Sequence, residues 1–118
     1  LRDQSQVDRV LYTALPDDPG HDLWKRDFSG ASGLFGLILN ASSQSAVALM
    51  LDNMDLFAMG ASWGGYESLM IPTDPGKIRT ASDWSPTGPC LRLHIGLEDP
   101  DDLIADLDKG LARLSSAA

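Results

Sequence analysis

The sequence predicts an α+β fold, an α/β sandwich in which a small antiparallel or mixed sheet carries helices mainly on one face. Three observations favour it. Short apolar or alternating runs have the length of strands, other runs have helical spacing with capping residues, and the two kinds are interleaved from residue 33 onward. A length of 118 residues suits one hydrophobic core, so we interpret 1–118 as a single domain.

The strands are predicted from apolar content and from the turn residues that bound them. The continuous run GLFGLILN is typical of a strand buried on both faces, and Pro72 is the predicted end of another strand. In CLRLHIG, alternation places the apolar side chains on one face and Arg92 and His94 on the other. The predicted strands are residues 8–12, 33–40, 56–62, 67–72 and 90–96.

Three helices are predicted, at residues 21–28, at residues 42–54 and from Pro100 onward. Serines can cap the second helix, and Asn53 is its predicted stop. The third helix has Asp99 as its cap and Pro100 at the first helical position, which proline favours. The residues expected on its apolar, sheet-facing side are Leu103, Ile104, Leu107, Leu111 and Leu114.

The composition argues against several classes of partner. With 17 acidic and 9 basic side chains, the formal net charge is −8. Such a chain repels nucleic-acid phosphates and anionic membrane surfaces, and no apolar run approaches the ~20 residues of a membrane helix, so we expect neither partner. The single Cys90 can form no internal disulfide and lacks partners for a zinc site, which fits a cytoplasmic protein without a metal.

Arg92 is the first candidate for a binding residue. An arginine in an apolar strand needs a partner, because an unpaired buried charge is costly. Its planar guanidinium can hold a carboxylate by two parallel hydrogen bonds. An aspartate of the same chain, or water, would satisfy it as well, so the strand pattern alone leaves ligand binding open.

The remaining polar candidates favour structural roles. His94 is expected to be a structural hydrogen-bonding residue, and His21 to cap or pack near a helix; neither has the neighbours of a catalytic triad. The aspartates at 99, 101, 102, 106 and 108 lack the spacing of a calcium-binding loop and predict a helix start and a solvated face.

The motif SWGGYES at 62–68 is unusual in a small acidic domain. It does not match a phosphate-binding loop or a dinucleotide fingerprint. Gly64 and Gly65 allow backbone to come close to another strand or to a ligand, and Trp63 suits either the core or the wall of a pocket.

Two stretches resemble a known family. SWGGYESL at 62–69 and LRLHIGLEDPDDLIADLDKGL at 91–111 are similar to the C-terminal domain of the Cys/Met-metabolism family of pyridoxal-phosphate enzymes. VLYTALPDDPGHDLWKRDFSGASGLFG, at 10–36, is similar to the segment that enters that domain, so the resemblance covers nearly the whole chain. Trp63, Tyr66 and LHIGLE favour the β-lyase branch, because the γ-synthase and γ-lyase branches usually have LGGVES and a VRLSVGIED-like ending.

The resemblance implies a substrate-binding role. Arg92 would bind the α-carboxylate of the amino-acid substrate, which the β-lyase branch implies is cystathionine. Ser62 and the backbone of Trp63 would form one wall of the pocket, against that carboxylate and the cofactor-bearing lysine. The implied reaction is α,β-elimination to homocysteine, pyruvate and ammonia. No catalytic role carries over to His94.

The sequence departs from the family at the cofactor. None of Lys25, Lys77 and Lys109 has the Ser/Thr-x-Thr-Lys setting of the cofactor lysine, and the phosphate-binding loop is missing too. In the family these belong to a large upstream domain, and the start at Leu1 reads like the tail of an earlier helix. We therefore expect a C-terminal domain that lacks the large pyridoxal-phosphate domain, contains no catalytic residue, binds no cofactor covalently and is inactive alone.

Three further expectations follow. A stand-alone domain that binds amino acids or a partner without catalysis is the alternative from another functional class. Within the enzyme class, γ-elimination or cysteine desulfuration are alternatives, since the branch markers are few. Finally, apolar surface that packs on the large domain would be exposed in the isolated chain, which predicts a homo-oligomer.

Overall fold

The computed structural model describes residues 1–117, which form one sheet and three helices. The elements are β1 (Val7–Leu11), α1 (His21–Asp27), β2 (Leu34–Leu39), α2 (Gln44–Asp52), β3 (Leu69–Thr73), a short 3-10 turn (Pro75–Lys77), β4 (Cys90–His94) and α3 (Pro100–Ser116). The strands pair antiparallel in the spatial order β1-β2-β4-β3, so β4 lies between β2 and β3. The predicted α+β fold is confirmed.

The core lies between one face of the sheet and the pair α2 and α3, as predicted. Register explains the selection: Leu37 of β2 lies opposite Leu91 of β4, and Met70 of β3 lies opposite Leu93. All four side chains are almost inaccessible to solvent. Since period-2 alternation puts them on one face, the intervening residues face away from the helices. The helices contribute Ala46, Val47, Met50, Leu51, Leu103, Leu107, Leu111 and Leu114.

The helix ends follow the predicted capping chemistry. Ser43 Oγ accepts a hydrogen bond from the backbone N–H of Ala46 at the start of α2, and Asn53 is its C-cap. Asp99 Oδ1 accepts from the N–H of Asp101 at the start of α3. α1 contributes no buried residue, so the helical layer consists of the other two helices.

The predicted strand at 56–62 is wrong. In this segment only Ala58 makes a single β-bridge, to Leu69. The backbone N–H groups of Asp55, Leu56 and Phe57 donate instead to the carboxylate of Asp106 on α3. A side chain has therefore taken the donors that a strand would need for its ladder.

Two smaller expectations about strands also change. Pro72 does not end its strand, because β3 continues to Thr73; β3 is an edge strand, where a residue without an N–H is tolerated. Burial of β2 on both faces holds only for its second half, Leu37–Leu39, since Leu34–Gly36 are half-buried.

Two positions on α3 differ from the prediction. Ile104 is 56% exposed rather than part of the packed face. Asp106, assigned to the solvated face, is only 3% exposed. The buried stripe of α3 runs through Leu103, Asp106 and Gly110, at spacings of three and four residues, so the helix is turned slightly from the expected orientation.

Candidate functional site

Arg92 lies in the middle of β4, on the sheet face opposite the core. Its neighbours in register are Gly36 of β2 and Ile71 of β3, so no other charged side chain is beside it on the sheet. Nη2 of Arg92 donates a 2.6 Å hydrogen bond to the carbonyl oxygen of Ala61. The side chain is half-buried.

The guanidinium of Arg92 has no carboxylate partner in the part of the chain that the structure describes. None of the ion pairs within residues 1–117 includes it. Pairing with an aspartate, which the sequence left open, therefore does not occur there. The hydrogen bond to Ala61 fixes one nitrogen and leaves the other N–H groups of the planar fork available to an anion.

Ser62 and Trp63 belong to an irregular segment, residues 61–67, which we call the 61–67 loop. Both side chains are exposed, and that of Trp63 is 62% accessible. Trp63 is therefore not a core residue. Gly64 follows with a φ of 86°, in the left-handed region that favours glycine, so the turn after Trp63 requires this residue.

His94 holds the 61–67 loop through both of its ring nitrogens. The residue is 8% exposed, and its Nδ1 accepts a 3.3 Å hydrogen bond from the N–H of Gly64. Nε2 lies 2.9 Å from the carbonyl oxygen of Gly65. Because Nδ1 accepts, Nε2 carries the proton and donates to that oxygen, which identifies the neutral Nε2–H tautomer. The structural role predicted for His94 is confirmed.

The loop is anchored at its far end by Glu98. The two carboxylate oxygens accept from the backbone N–H of Ser68 at 2.9 Å and from its Oγ at 2.7 Å. Ser68 Oγ in turn accepts from the N–H of Gly96. These bonds from Ser68 stabilise the charged form and hold the pKa of Glu98 below its usual value.

Gly96 is the point of closest contact between the loop and the end of β4. A Cβ at this position would collide with the carbonyl oxygen of Tyr66 and lie 2.7 Å from the carbonyl carbon of Glu67. The N–H of Leu97 donates to that same Tyr66 oxygen at 2.9 Å. The predicted strand 90–96 ends at His94 because the following N–H groups bond to the loop segment or to Gly33 instead.

The three lysines lie outside this arrangement. Lys77 pairs with Asp74 and Lys109 with Asp55, both on the surface. Lys25 is on α1, which has no buried residue. No hydrogen bond or ion pair within residues 1–117 joins a lysine to the 61–67 loop or to Arg92.

The other candidates are structural. Nδ1 of His21 donates a 2.9 Å hydrogen bond to the carbonyl oxygen of Thr13, and the ring stacks on Trp24, as expected of a packing residue. Cys90 is buried, and this burial raises the pKa of its thiol, which disfavours the reactive thiolate. Within 1–117, no group of three or more metal-ligating side chains is placed to hold an ion, and no helix is long and apolar enough to cross a membrane.

Sequence reasoning missed Glu98 and Asp106 as anchors of the segment that carries the loop. Asp106 had a readable signal, since it lies three residues after Leu103 and four before Gly110, within the buried stripe. Glu98 had none, because its partner Ser68 is 30 residues away and only the fold brings them together.

Comparison with known proteins places the whole chain in one family. The family model described as Cys/Met metabolism PLP-dependent enzyme matches residues 1–112. Cystathionine beta-lyase of Escherichia coli (strain K12) is 50% identical over 118 residues, which cover 97% of this chain and 30% of the relative. The L-alanine/L-glutamate racemase of Wolbachia pipientis wMel is 45% identical over 116 residues, covering 97% and 29%.

A solved structure agrees with these relatives. Cystathionine gamma synthase from Xanthomonas oryzae pv. oryzae, in complex with cystathionine, superposes with a TM-score of 0.81 at 30% identity. The match covers 100% of this chain and 32% of that chain. The chain thus spans about a third of the length of the proteins that it matches.

Proposed function

Because the chain belongs to the Cys/Met metabolism family of PLP-dependent enzymes, we propose that it supplies the substrate-carboxylate site of a carbon–sulfur lyase acting on cystathionine. The observation that carries this is Arg92: a half-buried guanidinium with one N–H fixed by Ala61 and no carboxylate partner within residues 1–117. In a chain with a net charge of −8, an arginine that lies on a sheet face without a carboxylate partner is suited to an α-carboxylate.

Ser62 and Trp63 supply the wall beside that carboxylate. Both are exposed in a loop whose first carbonyl, that of Ala61, is bonded to Arg92, so the wall and the guanidinium are linked directly. The exposed indole offers a flat apolar surface, and the Ser62 hydroxyl a further hydrogen-bonding group. A substrate carboxylate that binds Arg92 would therefore be positioned between a charge and an apolar wall.

Pyridoxal phosphate does not fit the residues of this chain. A Schiff base needs a lysine at the reacting carbon, and none of the three exposed lysines makes a hydrogen bond or ion pair with Arg92 or the 61–67 loop within residues 1–117. We therefore propose that the cofactor lysine is outside these 118 residues, that the chain alone is inactive, and that its part in the reaction is to bind and orient substrate.

The test of the carboxylate site is Arg92→Leu in the longer, pyridoxal-phosphate-loaded enzyme that would contain these 118 residues. We expect KM for L-cystathionine to rise and kcat/KM to fall roughly 30- to 1000-fold. This corresponds to a loss of about 2–4 kcal/mol of transition-state stabilisation, since a charge pair is lost. Arg79→Leu is the matched control, because Arg79 stacks on Trp84 outside the 61–67 loop. An unchanged KM for Arg92→Leu would rule out the assignment.

The reaction that we propose is β-elimination of cystathionine. A beta-lyase relative at 50% identity, together with Trp63 and Tyr66 in the motif, supports β-elimination. The gamma synthase structure favours a reaction at the γ-carbon, and the racemase relative favours racemisation of an amino acid. Release of pyruvate from L-cystathionine indicates β-elimination, whereas release of 2-oxobutanoate indicates γ-elimination; turnover of L-cysteine or racemisation of L-alanine would indicate the other two activities.

The alternative of a non-catalytic binding domain predicts a different result only for the longer enzyme, because the 118-residue chain is expected to be inactive in both cases. The 118-residue chain is mixed with pyridoxal phosphate and L-cystathionine, and the visible spectrum and pyruvate are measured. We expect neither a stoichiometric Schiff-base band nor turnover. If the longer enzyme is inactive as well while L-cystathionine still binds at Arg92, the stand-alone binding function replaces the lyase.

We further propose self-association and a cytoplasmic location. Several large apolar side chains are strongly exposed, among them Trp63, Tyr66 and Leu97 around the loop, which supports a homo-oligomer of the isolated chain. A strictly monomeric sedimentation profile at high concentration would contradict this. The single buried Cys90, without a disulfide, supports the reducing compartment.

A further inference from the structure

The ring of His94 connects to two consecutive residues of the 61–67 loop through both of its nitrogens. Nδ1 accepts from Gly64 and Nε2 donates to Gly65. On the sheet the ring is flanked by Leu34 of β2 and Leu69 of β3, so its partners are the backbone groups of the loop. Both polar atoms of a nearly buried side chain are thus used to hold backbone.

Two side chains on the same face of β4 hold the part of the loop between Ala61 and Gly64. Arg92 holds the carbonyl of Ala61, and His94 holds the N–H of Gly64. Ser62 and Trp63 lie between these two attachments, and no hydrogen bond within residues 1–117 holds the Trp63 indole. The orientation of the indole is therefore set by the backbone on either side of it, and one of the two attachments is His94.

We propose that His94 is a positioning residue, which in its neutral Nε2–H tautomer fixes Gly64–Gly65 and thereby holds the Ser62–Trp63 wall against the substrate beside Arg92. This rests on the proposed function of Arg92. His94 does not transfer a proton in this role, because each ring nitrogen is occupied by a backbone group. Its effect is on the geometry of the wall and hence on substrate affinity.

The first arm of the test measures the loop directly. Hydrogen exchange of the peptide that spans 61–67 is followed by mass spectrometry in the intact protein, for wild type, His94→Phe and His94→Gln. We expect His94→Phe to speed exchange at Gly64 at least tenfold, while Leu93 in the buried strand reports global stability. His94→Gln should restore part of the protection, because its amide offers one acceptor and one donor. Exchange at Gly64 that is unchanged, or that rises only in step with Leu93, would overturn the proposal.

The second arm measures the substrate. In the pyridoxal-phosphate-loaded enzyme we expect His94→Phe to raise KM for L-cystathionine about three- to tenfold with a smaller change in kcat, and His94→Gln to be intermediate. Lost protection at Gly64 with an unchanged KM would overturn the positioning role and leave Arg92 unaffected. An Arg92→Leu enzyme with normal KM, in contrast, would remove the proposed function while the exchange result for His94 stood.

Discussion

Two carboxylates hold the two ends of the segment that carries the 61–67 loop, and they do so in different surroundings. At the first end, Asp106 accepts hydrogen bonds from three backbone N–H groups, those of residues 55–57, and is almost fully buried. At the other end, Glu98 accepts two hydrogen bonds from Ser68 and remains half-exposed. The interaction is the same in kind, but only the carboxylate of Glu98 is also reached by water, although its partner Ser68 is fully buried.

The comparison separates a stability determinant from a tunable contact. A buried carboxylate depends on the protein for all of its hydrogen bonds, whereas a half-exposed carboxylate is also hydrated. The Asp106 end should therefore determine whether the segment stays folded against α3. The Glu98 end, which lies next to Gly96 and the loop, should influence the geometry of the site and respond to pH.

The largest effect is expected for Asp106→Asn. The amide keeps the shape but turns one acceptor oxygen into a donor group that faces backbone N–H, so at least one of the three backbone N–H groups loses its acceptor beside a buried side chain. We expect the free energy of unfolding to fall by about 2–3 kcal/mol, measured by urea denaturation with an unchanged m-value.

The control for Asp106→Asn is Asp108→Asn on the same helix. Asp108 is exposed and makes only a 3.3 Å hydrogen bond to Gln4, so its substitution changes charge by the same amount with an effect below about 0.5 kcal/mol. Equal losses for the two variants would mean that charge, and not the three backbone hydrogen bonds to Asp106, explains the result.

A smaller effect is expected at the Glu98 end for Gly96→Ala, with Gly65→Ala as the matched control. The added methyl of Gly96→Ala collides with the Tyr66 carbonyl, which is backbone and must move, whereas nothing lies within 4 Å of a Cβ at Gly65. We expect a loss of about 1–3 kcal/mol at Gly96 and close to none at Gly65. Two variants of equal stability would show that the loop does not press on the end of β4.

The helical half of the molecule was predictable because its determinants are local. Ser43, Asp99 and Pro100 are adjacent to the helices that they start, and the leucines of α3 repeat at helical spacing. Alternation likewise identified the core face of β4 and put Arg92 and His94 on the opposite face.

The 55–68 segment was not predictable, because its partners are far away in sequence. LFAMGAS has the composition of a strand, but Asp106, about 50 residues later, takes its backbone donors. Similarly, the hydrogen bond between Gly64 and His94 joins a loop to a strand that lies 30 residues later in the sequence. Local pattern singled out Arg92, the family resemblance added Ser62 and Trp63, and tertiary hydrogen bonds determine how the segment that carries them is held.

The smallest effect is expected from the titration of Glu98. Its pKa is lowered by the N–H and Oγ–H of Ser68, so the folded state favours the carboxylate more than the unfolded chain does. A depressed pKa contributes stability that is fully present above the unfolded value of about 4.3 and is lost as pH falls through the lower, folded value. The difference in urea midpoint between wild type and Glu98→Gln should therefore be largest at pH 7 and shrink below about pH 4.

The control is Glu67→Gln, at the exposed glutamate of the same loop, which should follow the wild type throughout. A Glu98→Gln difference that stayed constant down to acid pH would show that the two hydrogen bonds from Ser68 do not depend on the charge of the carboxylate.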